Sequence, residues 1–358
     1  MNTNFVCPTL SSLPTGEERW EAPSNIALIK YWGKYGQQLP KNPSLSFTLN
    51  SSTTKTAIAF QPAKRKKETP AFTFLFEGKA RPDFHPKLYA FFTRILPYQS
   101  FLKEMELEIS SSNTFPHSSG IASSAAAYAA LSAGLIAIEK ACSPPREAKF
   151  WEQKTSFLAR LGSGSAARST KGPMMLWGHH PHFNGSSDEY AIPFGEDLPP
   201  IFHTFQDSIL LVDKGQKAVS STLGHGLMKG HPFASARFEQ AHQNTQKLAL
   251  AMHAGDMDTF IALVESEALT LHAMMQSSHP YFVLMRPNTL HIIEALWSFR
   301  KDTQIPVCFT LDAGANVHIL YPAKVAPKVH SFIQVELLKY CQAGEYLQDS
   351  VGEGIKKL

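Results

Sequence analysis

Cysteine is scarce in this sequence and unpatterned: there are four in 358 residues, Cys7, Cys142, Cys308 and Cys341, with no CxxC spacing. That excludes a disulfide framework and a thiolate zinc site, and it predicts free thiols in a reducing compartment. Charge of one sign is also scarce. A net charge of +4 is too mild for a nucleic-acid partner, though it suits anionic small molecules. The single basic run, Lys64–Lys67, is followed at once by Glu68 and reads as a solvated loop. No apolar run is expected to reach the about 18 residues of a membrane span. The opening MNTNFVCPTLSSLPTGEERW has no signal-peptide core. The chain is therefore expected to be cytoplasmic, with no membrane and no nucleic acid among its partners.

What is present is an ordinary globular composition, 43% hydrophobic and 18% charged, over a length that favours two domains. Residues 1–20 read as a polar arm. From Trp20 to Glu77 the texture is strand-like, with Phe47–Phe60 alternating and β-branched. Pro86–Leu96 predicts a helix and Met105–Asn113 a strand. After Gly120, the residues Ile121, Ala125, Tyr128, Leu131, Leu135 and Ile138 mark one face of a helix that ends before Pro144. Ile192–Pro200 is the best linker, dividing the chain into 21–200 and 201–358. Beyond it come a strand at Asp207–Asp213 and helices at Ala234–Ala254, Met257–Gln276 and Asn288–Arg300, with Gly255 as a C-cap. Pro306–Pro322 reads as strand, tight turn, strand. Strands and helices without regular βαβ alternation predict an α+β fold in two lobes.

The segment FPHSSGIASSAAAYAALSAG, Phe115–Gly134, crowds serines and a glycine against the start of an alanine-rich helix. Unpaired N–H groups and a partial positive charge make a helix N-terminus an anion site, and Ser118, Ser119, Ser123 and Ser124 add donors beside the permissive Gly120. An N-capped, close-packed alanine helix with incidental serines fits the segment equally well. A Walker loop is excluded, because Gly33-Lys34 and Gly78-Lys79 are followed by tyrosine and alanine. LGSGSAARS, Leu161–Ser169, matches a loose dinucleotide fingerprint, but it follows a helix and has no acidic residue about 20 positions on, which argues against NAD.

Four segments occur in order: APSNIALIKYWGK (Ala22–Lys34), FPHSSGIASSAAAYAAL (Phe115–Leu131), LGSGSAARS and LDAGANV (Leu311–Val317). Together they resemble the GHMP kinase superfamily, and within it the diphosphomevalonate decarboxylase family. The resemblance runs from about Trp20 through VDKGQKAVSST (Val212–Thr222) and Leu271-His272-Ala273. Two places depart from the family pattern. Pro116-His117-Ser118-Ser119-Gly120 stands for Pro-Thr-Ala-Ala-Gly, and Ala315 stands where a proline usually holds the Asp312–Asn316 turn. Neither departure removes a charged group.

The resemblance implies a GHMP kinase-like fold with its active site between the lobes, and ATP-dependent decarboxylation of a diphosphorylated mevalonate. Asp312 would take or orient the proton of the accepting hydroxyl, with Lys30 near the reacting groups. Arg168 would offer its planar fork to the substrate carboxylate, with Asn25 on another side and Ser163 and Ser165 adding donors. Tyr31 and Lys34 would meet the substrate diphosphate. Ser119, Gly120, Ser123 and Ser124 would cradle the phosphates of ATP, and Mg2+ would bind mainly through those phosphates, without protein ligands. A homodimer is expected from the same resemblance. Within the same class the alternative is a decarboxylase of monophosphomevalonate, and two rival functions outside it are a small-molecule kinase that stops after phosphoryl transfer and a nucleotide-binding scaffold. The first has no need of a carboxylate-binding Arg168, and the second none of Asp312. Outside the motifs, WGHHPHF (Trp177–Phe183) lacks the convergent spacing of a zinc site, and His272 reads as a packed core histidine.

Overall fold

In the computed structural model, which describes residues 3–10, 12–116, 121–215 and 221–358, two long antiparallel strands set the frame. Gly16–Ala27 (β1) pairs with Ser44–Pro62 (β2) from Gly16↔Phe60 to Ala27↔Ser46. The register shifts between Pro23 and Asn25, where proline has no N–H to give the ladder. Ala71–Phe76 (β3) crosses over through the helix His85–Ile95 (α1) to lie parallel with Met105–Asn113 (β4), which pairs with β2. Met174–Trp177 (β5) extends the Ser44 end of β2 and carries Ala191–Pro193 (β6).

The helices Ser123–Cys142 (α2) and Ala148–Gly162 (α3) join α1 over this sheet, around Phe91, Phe92, Leu107, Ile109, Leu135 and Phe157. α2 is long and apolar enough to cross a membrane by length and composition, which corrects the expectation that no such run exists. It is nonetheless a core helix, with 67% of that stretch buried. Its alanines explain the composition: Ala125, Ala129 and Ala130 pack on Ala22, Ala159 and Ala166, so helix and sheet approach closely.

The second sheet, wholly antiparallel, has the order Cys308–Leu311 (β8), Val317–Pro322 (β9), Phe205–Leu210 (β7) and Tyr346–Ser350 (β10). Around it lie Ser221–Gly226 (α4), Ala234–Ala254 (α5), Met257–Gln276 (α6), Pro287–Thr303 (α7) and Ala326–Phe332 (α8). Gly255 closes α5 at φ 69°, in the left-handed conformation expected of a C-cap. The two halves share apolar packing. Ile26, Leu28, Leu45 and Phe47 form one cluster with Phe202, Phe205, Leu248, Phe260 and Leu320.

Both chain ends differ from the simplest reading. Gly16–Trp20, placed in the polar arm by sequence, already belong to β1, and Phe5 and Cys7 are buried among Phe150, Phe157 and Tyr190 or their neighbours. Lys356–Lys357 (β11) returns from the second half to pair with Glu21 and Trp20 at the edge of the first sheet.

Candidate active site

Beyond β1 the chain leaves the ladder without leaving the core. The amides of Leu28 and Ile29 both donate to the Leu45 carbonyl, at 2.8 and 3.2 Å, and both side chains are buried. This curl carries Lys30 inward to 1% exposure, where its ammonium meets the Asp312 carboxylate at 3.3 Å. Asp312 comes from the other lobe, on the turn between β8 and β9. Three contacts anchor that turn. Asn316 Oδ1 accepts from the Asp213 amide, the Thr289 hydroxyl donates to the Ala315 carbonyl, and His272 Nε2 donates to the Asp312 carbonyl. Tertiary hydrogen bonds thus restrain the turn at Ala315, where the family's usual proline is missing.

α3 ends at Gly162, and a 3-10 turn over Gly164–Ser169 delivers Arg168 into the same interior at 2% exposure. Arg168 Nη1 donates to Ser44 Oγ at 2.5 Å and Nη2 to Asn25 Oδ1 at 3.3 Å, while Nε has no partner among the described residues. Asn25 donates to the Ser169 hydroxyl at 2.7 Å and the Ser165 carbonyl at 3.1 Å. Glycine is required at 164, because a Cβ there would lie 2.7 Å from Tyr31 Oη and 2.9 Å from the Trp177 ring. Tyr31 therefore packs directly on the Arg168 loop.

The opening of α2 faces this loop. Ala122 sits in the left-handed region at φ 43°, and Ser24 Oγ fixes the approach by donating to the Ile121 carbonyl at 2.6 Å. Ser123 and Ser124 occupy the first turn, where the Ala125 amide donates to the Ala122 carbonyl at 2.7 Å. The Ser124 hydroxyl is 3.2 Å from that of Ser163, which is 3.4 Å from that of Ser165. A row of hydroxyls thus joins the helix opening to the arginine loop. Ser119 and Gly120, expected beside them, lie outside the described residues.

Lys34 stands apart from the Lys30–Asp312 pair, its ammonium donating to Gln38 Oε1 at 2.8 Å. The segment between the two lysines is held by a residue that no sequence motif marks. His225 Nδ1 accepts from the amide of Gly33, which has φ 88°, at 3.0 Å, and the imidazole lies between Tyr31 and Trp32, with ring centroids 4.2 and 4.6 Å away. Ser44 and Glu267, which touch Arg168 and the Lys30 amide, were likewise invisible in sequence, because no motif marks them.

The electrostatics are those of a cleft rich in buried cations. Burial lowers the Lys30 ammonium, against the opposing pull of Asp312, and lowers Lys34, with Arg94 adding to the effect. Burial brings the Arg168 guanidinium down to about 10 although Asp312 pulls it up. Burial also brings His272 down to about 4 and His225 to about 3, the latter helped by Lys34 and Arg168, so both are neutral at pH 7. The Tyr31 phenol is pushed up by burial. Such a cleft is completed by a ligand carrying several negative charges.

A two-lobed α+β fold, a serine-lined helix opening and an Asp–Lys pair between the lobes define an enzyme of the GHMP kinase-like class. Residues 22–190 match the diphosphomevalonate decarboxylase-like N-terminal domain, and residues 208–354 match the mevalonate 5-diphosphate decarboxylase C-terminal domain. The chain belongs to the diphosphomevalonate decarboxylase family. It is 28% identical to the diphosphomevalonate decarboxylase of Candida albicans, over 87% of this chain and 86% of that one. It is also 28% identical to the human diphosphomevalonate decarboxylase, over 86% and 78% respectively. The crystal structure of mevalonate diphosphate decarboxylase from Staphylococcus aureus superposes with a TM-score of 0.81 at 26% identity, covering 96% of this chain and 98% of that one. The complex of MDDEF with MVAPP, AMPPCP and magnesium has a TM-score of 0.81 at 25% identity, covering 96% and 99%.

Proposed function

We propose that this chain catalyses the ATP-dependent decarboxylation of (R)-5-diphosphomevalonate to isopentenyl diphosphate, releasing ADP, phosphate and CO2 in the mevalonate pathway of isoprenoid biosynthesis. The observation that carries this reading is the Lys30–Asp312 contact at 3.3 Å across the lobes, with the buried Arg168 within electrostatic reach of both. A kinase needs the first pair. A decarboxylase also needs a cation for the substrate carboxylate.

Asp312 accepts the proton of the tertiary hydroxyl as that oxygen attacks the terminal phosphorus of ATP. Lys30 sits on the Asp312 carboxylate and offsets negative charge that builds beside it. Arg168, with Asn25 orienting its guanidinium, holds the substrate carboxylate so that its C–C bond can break as the phosphorylated C–O bond breaks, the electron pair becoming the new C=C. Arg168 Nε, buried and without a partner among the described residues, offers a donor for that work. Tyr31 and Lys34 receive the diphosphate, with Ser163 and Ser165 nearby. Ser123 and Ser124 suit the phosphates of ATP through their hydroxyls at a helix N-terminus, and Ser119 and Gly120 are assigned to the same task. The cofactors are ATP and Mg2+, the metal spreading the charge of the phosphates to which it binds.

The division into domains at 21–200 and 201–358 belongs to the same proposal, as do a homodimeric state and a cytoplasmic location. Four unpaired cysteines suit a reducing compartment. The test is one incubation of the protein with ATP, Mg2+ and diphosphomevalonate, measuring ADP and CO2 separately. Equal yields are expected. ADP without CO2 would identify a kinase, and neither product would leave a binding scaffold.

A further inference from the structure

Lys30 is gripped at its main chain as well as at its ammonium. Its amide donates to Glu267 Oε2 at 2.9 Å. Its carbonyl accepts from Asn42 Nδ2 at 2.9 Å and from Arg237 Nη2 at 3.4 Å. Glu267 and Arg237 form a two-point ion pair, Nη1 to Oε1 at 2.9 Å and Nη2 to Oε2 at 2.5 Å, and Asn244 Nδ2 adds a bond to Oε1 at 2.7 Å. Each carboxylate oxygen thus has two donors. Glu267 is 0% exposed and Arg237 2%. Arg237 and Asn244 lie two turns apart on α5, and Glu267 is on α6, so the grip reaches from the second lobe into the first.

Stability alone gives no reason for this pair. Burying two charges removes their hydration, and apolar side chains of similar volume commonly serve as well or better. Helices α5 and α6 already meet through Ala241, Leu248, Phe260 and Val264. What apolar residues could not do is bind the amide and carbonyl of one residue of the other lobe. We propose that Arg237 and Glu267 are positioning residues for Lys30, a clamp that fixes its main chain across the lobe junction so that its ammonium stays on Asp312 throughout turnover. This deepens the decarboxylase reading and rests on it for its kinetic arm.

The charge of Glu267 has a second consequence. Around the Lys30 ammonium stand Asp312 from the β8–β9 turn, Glu267 and the neutral His272 from α6 and Arg168 from the 3-10 turn, while Arg237 from α5 meets the Lys30 carbonyl. Burial and Arg168 lower the Lys30 proton affinity, while Asp312 and Glu267 raise it. Removing the Glu267 charge leaves Arg237 uncompensated and makes Lys30 lose its proton at lower pH.

The test uses the full chain and the variants Glu267→Gln and Arg237→Lys. Wild type is assayed first with ATP, Mg2+ and diphosphomevalonate, since absence of CO2 there would sink the functional reading rather than the clamp. For Glu267→Gln, kcat is expected to fall on the order of 10- to 100-fold, as for a small misplacement of a reacting group. KM for either substrate should stay within about threefold, and the alkaline limb of kcat should move to lower pH. Arg237→Lys keeps a cation on Glu267 and should fall between wild type and Glu267→Gln. If Glu267→Gln does not fold, Arg237→Lys decides alone: a lowered kcat at unchanged KM supports the clamp, and an unchanged kcat overturns it. A readout without turnover is the 15N signal of the Lys30 ammonium, assigned with Lys30→Met and titrated in wild type and Glu267→Gln. Loss of the proton at lower pH in the variant supports the clamp. Identical titrations, or kcat and KM falling together, overturn it.

Discussion

Replacing Asp312 by asparagine keeps the shape of the β8–β9 turn and removes one charge, so its consequences can be worked out from one contact. The asparagine cannot take a proton from the substrate hydroxyl, and a positioned general base contributes on the order of 10²- to 10⁴-fold. A fall in kcat of about a thousandfold is expected, with the dissociation constant of ATP near its wild-type value, because the role proposed for Asp312 is on the hydroxyl and not on the nucleotide. The same change strands a lysine that is 1% exposed. At 3.3 Å the Coulomb attraction is about 5 kcal/mol for an effective dielectric constant near 20. Water reaches the Asp312 side chain, which is 27% exposed, and roughly half of that attraction is screened. Glu267 still balances part of the Lys30 charge, so the expected loss of stability is about 2 kcal/mol at neutral pH. Because burial already holds the Lys30 proton affinity below the ordinary lysine range, the deficit should shrink as pH rises and the folded protein sheds that proton. Single-turnover kinetics, nucleotide titration and urea melts at pH 7 and pH 10 measure the three quantities. A variant retaining more than about a tenth of wild-type kcat would refute the role of Asp312 as base. A tenfold loss of ATP affinity would move it to the nucleotide.

Three further outcomes are expected. Arg168→Gln should lower kcat strongly with a smaller effect on substrate binding, since the diphosphate end is still held, and an unchanged kcat with a weakened Kd would place Arg168 away from the reacting carbons. Diphosphomevalonate should exceed monophosphomevalonate in kcat/KM by about tenfold or more, and Lys34→Ala should narrow that gap; equal preference in wild type would remove Lys34 from the diphosphate site. His225 and His272, held to about 3 and about 4, refuse protons that their unfolded forms accept near 6.5, so stability should be flat above pH 7 and fall as pH drops from there toward 4. At pH 5 each should have lost about 2 kcal/mol, and an unchanged acid slope in a His225→Gln, His272→Gln double variant would show that other groups carry it.

Much of the local structure was legible. Met105–Asn113, Ala234–Ala254 and Met257–Gln276 form where periodicity, Gly255 and the strand pattern place them, because these signals depend on neighbours two to four residues away. Partners distant in sequence were not legible. Glu267 looks like one more polar residue in VESEALTLHAM, yet it is fully buried and bound to an amide 237 positions earlier. His225, in LGHGL, carries no motif and still supports Gly33, Tyr31 and Trp32. The polar look of the first residues concealed Phe5 and Cys7, whose burial depends on a pocket built from residues beyond position 90.

By itself, then, the sequence determined which chemical groups exist and in what order: a serine-rich helix opening, Lys30 and Lys34 four apart, Arg168 in a glycine–serine loop and Asp312 in a turn. Tertiary structure alone decided that Lys30 and Asp312, 282 positions apart, meet at 3.3 Å and that Arg168 rests on Ser44 and Asn25. It also decided their electrostatic state. Proton affinity depends on burial and on charges within a few ångströms, and both arise only when the two lobes close their shared core around the curl at Leu28–Lys30.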